Sequence, residues 1–536
     1  MSEPAETQTF DRARPITQRV VVRGTLELTA PAHFGGGVES DLADLALLRD
    51  AAGDGLLLPG TSIAGALRSE LRAYERGHRV PEQQARRIGQ APRLAQAGLA
   101  ELLLGGQQGD PDGEQSPLLI GDSLAEPTPI EVRDGVAIDP ATRTAQDEKK
   151  YSLELVPAGT RFPLTMELLV PADTVLAGRL RLALALALDA LQRGAIPLGA
   201  RSARGYGTCL VREWEVTTYD LSDTDHLLAY LTADYRQQEP WAGYAATVPL
   251  RGAQIAELLG VASAASDGQP RITGAPEDQR RTVTLTARFA LASPLLIRSD
   301  LPEREGAFAP DATHLRRRAA HVPDAPDADP FEPVLPGTSV AGALRARALR
   351  IANTLGARDT SAVEALFGPE QGGGAEVRPL HASRLRVSEQ PLTAARSLVQ
   401  SRMSIDRFTG GALDTALFSE APLTAGEVGL TVAIHDPCDA EIGLLLLLLK
   451  DLWTGDLPLG GTSSIGRGRL DGRAAELAFS PPALPEVLRP AAGTLPPARW
   501  PIGAEGRLTV APDLAAYLQA CVKAIPAWLN AEATHE

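Results

Sequence analysis

The sequence predicts an α+β fold built twice, as two ferredoxin-like (RRM-like) modules in tandem. Three observations carry this. "LPGTSIAGALR" at Leu58–Arg68 returns as "LPGTSVAGALR" at Leu335–Arg345, matching at ten of eleven positions. Asp44 and Ile138-Asp139 return as Asp311 and Ile405-Asp406, both at an offset of 267 (311 − 44 and 405 − 138). Each copy also ends on an apolar helical run followed by a glycine-rich loop, "LGARSARGYG" and then "LGGTSSIGRG". Features that return in the same order define an internal repeat, and 536 residues exceed what one ordinary core organises.

The elements follow in chain order. The N-terminal arm, 1–19, is polar and lacks the apolar core of a signal peptide. The first module, 20–216, opens with "VVVRGTLELTAP", whose alternation reads as a half-buried strand. A short strand then enters Pro59-Gly60, and a helix begins there with Thr61 or Ser62 as its cap. Gly65 and Ala66 let that helix lie close to a sheet. A polar excursion, a strand pair around Ile138-Asp139, the apolar helix "LRLALALALDALQ", the glycine loop and a last strand complete it. Strands with two crossover helices on one face make an α+β layer. The connector, 217–281, holds a helix in "DTDHLLAYLTADYRQ" and ends in a polar stretch. The second module, 282–477, repeats the order with "IGLLLLLLKDLW" as its apolar helix. Its eleven-mer sits at an offset of 277, so one loop has gained ten residues, for which "VPDAPDADPFEP" is the candidate. The Pro-rich tail, 478–536, ends in an amphipathic helix whose proline suggests a kink.

Composition narrows the function. The net charge of −15 argues against a broadly basic nucleic-acid face. Phosphate contacts need only a local arginine cluster, however, and arginines gather in "RSELRAYERGHR", "QARRIGQAPR", "HLRRRAAH" and "LRARALR". The apolar runs are too short to span a bilayer. Three scattered cysteines suggest neither a zinc knuckle nor a disulfide framework, which fits a reducing cytoplasm. No P-loop occurs.

The eleven-mers, the Ile-Asp segments and the late "LGxxxxxGxG" loops together resemble the RAMP superfamily. More narrowly, they resemble the backbone subunits of type III CRISPR-Cas effector complexes, in the fused two-module form of the III-D and III-E group. The resemblance covers both modules and leaves the arm, connector and tail aside. It implies a ferredoxin-like palm that holds CRISPR guide RNA, and a β-hairpin thumb, carrying the Ile-Asp segment, that displaces one base pair of the guide–target duplex. It also implies an aspartate in the loop before the "PGTS" strand that target RNA cutting requires. By position these are Asp44 and Asp311, with Asp41 as a competitor of Asp44. Other effector subunits would be partners, and Mg²⁺ or another divalent cation the cofactor.

Read as chemistry, Thr61, Ser62, Thr338 and Ser339 at the helix starts are candidates to hold a phosphate, with Arg68 and Arg345 two turns on. The plainer reading is a capped helix with solvated arginines; near-identity between otherwise divergent copies favours function. The late loops offer Arg201, Arg204 and Arg467 beside glycines that permit close backbone approach. The thumbs offer Arg133, Arg143, Arg402 and Arg407, with Met403 and Phe408 as apolar wedges. The first thumb reads "IDPATRTA" where the second reads "IDRFTGGA". A lone loop aspartate is usually a turn residue; it can also hold a cation or position a 2′-hydroxyl for attack on its own phosphate. His314 and nearby arginines give the second site more groups for acid–base work. The expected function is therefore a guide-binding subunit that cuts complementary target RNA. The rivals are a catalytically inactive structural backbone, a guide-precursor processing ribonuclease using His33, and a metabolic enzyme, for which no cofactor motif is found.

Overall fold

The structure is a computed structural model, and it describes residues 15–37, 43–53, 55–78, 97–106, 114–139, 141–233, 248–266, 269–299, 310–321, 329–369, 381–489, 499–504 and 506–531. Asp41, the arginines of 84–93 and most of "VPDAPDADPFEP" lie outside them.

In the first half, strand Ile16–Leu28 is the centre of a sheet. Arg161–Pro171 and Cys209–Asp220 flank it, both antiparallel. Leu118–Ile120 adds outside the former and Leu250–Gly252 outside the latter. Strand alternation places Val20, Val22, Leu26 and Leu28 on the inner face, and helices Gly60–Arg76 and Thr174–Gln192 contribute to the same core. Asp173 caps the second helix by accepting from the N–H groups of Val175 and Leu176.

The second half repeats this order. Thr282–Leu291 lies between Glu427–His435 and Leu470–Phe479, and Leu385–Val387 pairs outside the former. Helices Gly337–Thr354 and Asp439–Trp453 contribute to its core. Each half also carries a long antiparallel hairpin, Glu131–Ile138 with Ala145–Leu155 and Gln400–Ile405 with Ala412–Ala421.

The expected tail is no appendage. Trp500–Ala504 pairs with Leu470–Phe479, and helix Pro512–Leu529 buries Leu514, Cys521 and Ile525 against the second core. The helix runs unbroken through Pro526, near its C-terminal end.

The repeated eleven-mer acquires a structural explanation. The helices start at Gly60 and Gly337 with Pro59 and Pro336 as N-caps, so the expected capping by Thr61 or Ser62 does not occur. A methyl group on Gly60 would stand 2.4 Å from the Ile120 carbonyl oxygen, and one on Gly337 2.7 Å from that of Val387. Ile63 and Leu67, or Val340 and Leu344, are fully buried. Gly60 and Gly337, Ile63 and Val340, and Leu67 and Leu344 thus have packing duties, whereas nothing among the described residues lies within 4 Å of a methyl added at Gly65 or Gly342, so the expected close approach to a sheet at Gly65 is not made.

The halves meet in more than one place. At one, His78 stacks on His435 with ring centroids 3.8 Å apart. Burial lowers the pKa of both rings; the charges of Arg386 and Arg280 lower them further, Arg384 and His78 add to this at His435, and Asp436 and Asp278 oppose it at His78. His435 falls to about 2. A free histidine binds a proton near pH 6.5, so below that pH the unfolded chain takes up protons that the stacked pair refuses. Stability is then present above pH 6.5 and lost as the pH falls. The thermal midpoint should drop between pH 7.5 and 5.5, and H435Q should shrink the drop. An equal drop in H435Q would show that the pair is not responsible.

Candidate functional site

Each candidate aspartate sits at the base of its hairpin. Asp44 Oδ2 accepts the Ser152 backbone N–H at 2.7 Å and the Ser152 hydroxyl at 3.1 Å. Asp311 Oδ2 accepts the Ser419 N–H at 2.6 Å and the Ser419 hydroxyl at 3.2 Å. In return, each aspartate N–H donates to its serine Oγ at 3.2 Å. The pairs lie 108 residues apart in both halves. The carboxylates are exposed. Hydrogen bonds from Ser152, the backbone N–H first and the hydroxyl second, pull the Asp44 pKa below the ordinary carboxylate value.

The histidines do not join these sites. His314 is buried, with Nδ1 receiving the Ile297 N–H and Nε2 2.9 Å from the Val334 carbonyl, and burial lowers it to about 4. It ties the loop to the sheet, which corrects its expected acid–base role. His33 is buried too, with Nδ1 2.9 Å from the Glu154 carbonyl.

Above each aspartate the hairpin tips match closely. Asp139 Oδ1 accepts from the N–H groups of Ala141 and Thr142, and Asp406 Oδ1 accepts from that of Phe408. The Ile-Asp aspartates are therefore turn formers. Arg143 adopts φ 61° where Gly410 adopts φ 71°, a left-handed conformation costing a non-glycine residue about 1 kcal/mol. Phe408 is 97% exposed, and Met403 and Ile405 are exposed beside it.

The arginines divide into two groups. Arg68 donates to the carbonyls of Leu104 and Gly105 at the end of helix Leu99–Leu104, and Arg345 to that of Gly368 after helix Ser361–Phe367. Terminal carbonyls attract cations, so these two cap helices rather than reach a phosphate. Arg133 is buried, pairing with Glu389 of the other half at 2.6 Å and with Glu131 at 3.2 Å. Arg467 is buried against Glu420 at 2.7 Å and Gln400 at 2.9 Å. Their guanidinium groups are consumed internally, which corrects their expected place on an RNA surface. Arg143, Arg201, Arg204, Arg402 and Arg407 remain accessible. Arg143 reaches Ser463 Oγ at 3.1 Å, Arg201 lies over the Tyr151 ring, and Arg402 is 3.5 Å from Glu420. The guanidinium groups of Arg204 and Arg407 have no hydrogen-bond partner among the described residues.

The helix starts fare differently from expectation. The Gly60 N–H donates to Asp122 Oδ1 at 2.8 Å, placing a carboxylate where a phosphate would sit. Thr61 and Ser62 are exposed and make no cap bond. The second start, with Thr338 and Ser339 half-buried, is covered by the first half, since a methyl on Gly337 would stand 2.3 Å from the Arg204 carbonyl oxygen. A ready anion site at these turns is therefore not formed.

The signal that sequence reading missed is acidic. Glu389 receives both Arg133 and Arg317, the latter at 3.2 Å, and joins the halves. Nearby, Glu131 accepts the Arg318 N–H at 2.8 Å.

Among the described residues no group of three His, Cys, Asp or Glu side chains forms a metal cage. Asp44 and Asp311 each offer one carboxylate; among the described residues nothing else is placed to ligate, so further ligands of a Mg²⁺ drawn from these residues give way to water or substrate phosphates. Among the described residues no helix is long and apolar enough to cross a membrane.

Two tandem α+β units agree with a family comparison. The model of the RAMP superfamily matches residues 25–210 and 288–471. The chain belongs to the RAMP superfamily, with a copy of its domain in each half. That superfamily includes subunits of type III CRISPR complexes. No curated protein matches the chain.

Proposed function

We propose that the chain is a fused two-module backbone subunit of a type III CRISPR effector, of the III-D or III-E kind, that binds guide RNA and cuts complementary target RNA. The carrying observation is the duplicated Asp–Ser pair at the hairpin base, with the same three hydrogen bonds in both halves. Four strands of each sheet, numbered in chain order, run second-third-first-fourth, which supports a ferredoxin-like palm in each half with the hairpin as its thumb. Phe408, Met403 and Ile405 would wedge against a displaced base, while Arg204, Arg402 and Arg407 supply phosphate contacts. The exposed aspartate accepts the proton of a target 2′-hydroxyl as its oxygen attacks the adjacent phosphorus; the P–O5′ bond breaks, the 5′-oxygen takes the electron pair and a proton from water, and a 2′,3′-cyclic phosphate is left. The kink made by the thumb brings oxygen and phosphorus into line. A Mg²⁺ held by the same carboxylate would supply charge neutralisation at the phosphate.

Further subunits are implied by an open face. Gly205 packs against the Glu389 backbone of the second half, whereas its counterpart Gly466 meets nothing within 4 Å among the described residues. With His33 internally engaged, no observation favours the processing ribonuclease.

The test is a complex reconstituted with guide and labelled target. D44A should remove one product and D311A another, with target binding retained. If neither variant removes a product, the chain is a structural backbone. If one erases both, the two-site reading is wrong.

A further inference from the structure

Resting on that reading, we propose that Ser152 and Ser419 are positioning residues that mount each cutting carboxylate on its hairpin. The three hydrogen bonds between each serine and its aspartate close a small ring across two chain segments. Ser152 lies in strand Ala145–Leu155 and Ser419 in Ala412–Ala421, while the aspartates sit in the loops before the "PGTS" strands. Parallel pairing of Leu45 with Leu153, and of Ala312 with Glu420, brings the two segments side by side, and the serine side chain then engages the carboxylate.

All of the hydrogen bonding falls on Oδ2. Oδ1 of each aspartate accepts none among the described residues, so it is the oxygen presented outward. A carboxylate pinned through one oxygen cannot rotate that oxygen away, and the other then keeps a fixed direction. A backbone N–H alone would hold the carboxylate at one point. The hydroxyl, which both donates to Oδ2 and accepts the aspartate N–H, adds the second point that fixes its plane.

The surroundings of the two rings differ. Asp44 is followed by Leu45-Ala46-Leu47 and Asp311 by Ala312-Thr313-His314; the strands read "KKYSLEL" and "TALFSEA". Only the serine, with an aromatic residue before it, is common to these strand segments. The consequence is mechanical. A hairpin that moves to displace a base carries its carboxylate along, so base displacement and placement of the general base become one event.

The same reconstituted complex tests this, with S419A and S419T beside D311A, and S152A and S152T beside D44A. Loss of the hydroxyl should slow the single-turnover rate of the matching cut about tenfold, the effect of one hydrogen bond to a charged group. Target affinity should stay unchanged, because the serines touch no proposed RNA contact. The threonine variants keep the hydroxyl and should restore the rate. If D311A abolishes its cut while S419A cuts at the wild-type rate, the positioning role is overturned and the cutting reading stands. If D311A itself cuts normally, the cutting reading falls, and the positioning role with it. An S419A rate loss that S419T fails to restore would also overturn the role of the hydroxyl.

Discussion

Replacing Glu389 with alanine should separate the two halves. This carboxylate is nearly excluded from solvent and holds two buried guanidinium groups, Arg133 at 2.6 Å and Arg317 at 3.2 Å. Burial opposes the charge of Arg133, and Glu389 more than compensates. Without Glu389 both cations are left short of countercharge in a desolvated seam. Breaking such a pair from one side costs about 3–5 kcal/mol. The lower end applies here, because Glu131 and Glu332 still contact the two arginines. Two cores can melt separately, so one transition should divide into two on calorimetry. E389Q would keep the shape and still remove the charge. An unchanged melting profile in both variants would show that the seam does not depend on this ion pair. The same variants should disturb the first hairpin more than the second, since Arg133 belongs to the first.

Much of this architecture was legible because the chain is written twice. Duplication exposed the halves, both apolar helices, the glycine loops and the hairpin tips, since a feature repeated at a fixed offset needs no outside comparison. It also led to Asp44 and Asp311, although not to their serines. The partner Ser152 is 108 residues away from its aspartate, and no local pattern marks so distant a contact. The arginines were misread for a related reason. Sequence shows a cation but not the carbonyl or carboxylate that folding brings to it. Arg68 meets the end of a short helix, and Arg133 meets an acid 256 residues away. Near-identity of the eleven-mers suggested a ligand, yet close backbone packing at Gly60 and Gly337 constrains those positions as strongly. Repetition shows that a position is constrained and leaves the cause open.

Replacing Gly468 with alanine should be among the most damaging single changes in the second half. Its φ of 79° lies in the left-handed region, and an added methyl would stand 1.9 Å from the Leu459 carbonyl oxygen. That oxygen also faces the loop closure, in which the Leu459 N–H donates to the Gly468 carbonyl at 2.9 Å. The backbone conformation alone costs roughly 1–2 kcal/mol, and overpacking adds roughly 1–3 kcal/mol. Gly466 separates the two effects. Its φ is 87°, but no atom of the described residues lies within 4 Å of the added methyl. G466A should therefore lose only the conformational part, while G468A loses both. The first half supplies a cross-check. Gly207 has the same collision, 1.8 Å from the Leu198 carbonyl oxygen, so G207A should match G468A. Gly205, the counterpart of Gly466, instead meets the Glu389 backbone nitrogen at 2.4 Å. G205A should thus weaken the seam between halves, where G466A leaves it intact. Denaturation midpoints of the four variants test the ordering. Equal losses for G466A and G468A would mean that the collision is relieved by local adjustment, and that conformation alone explains these glycines.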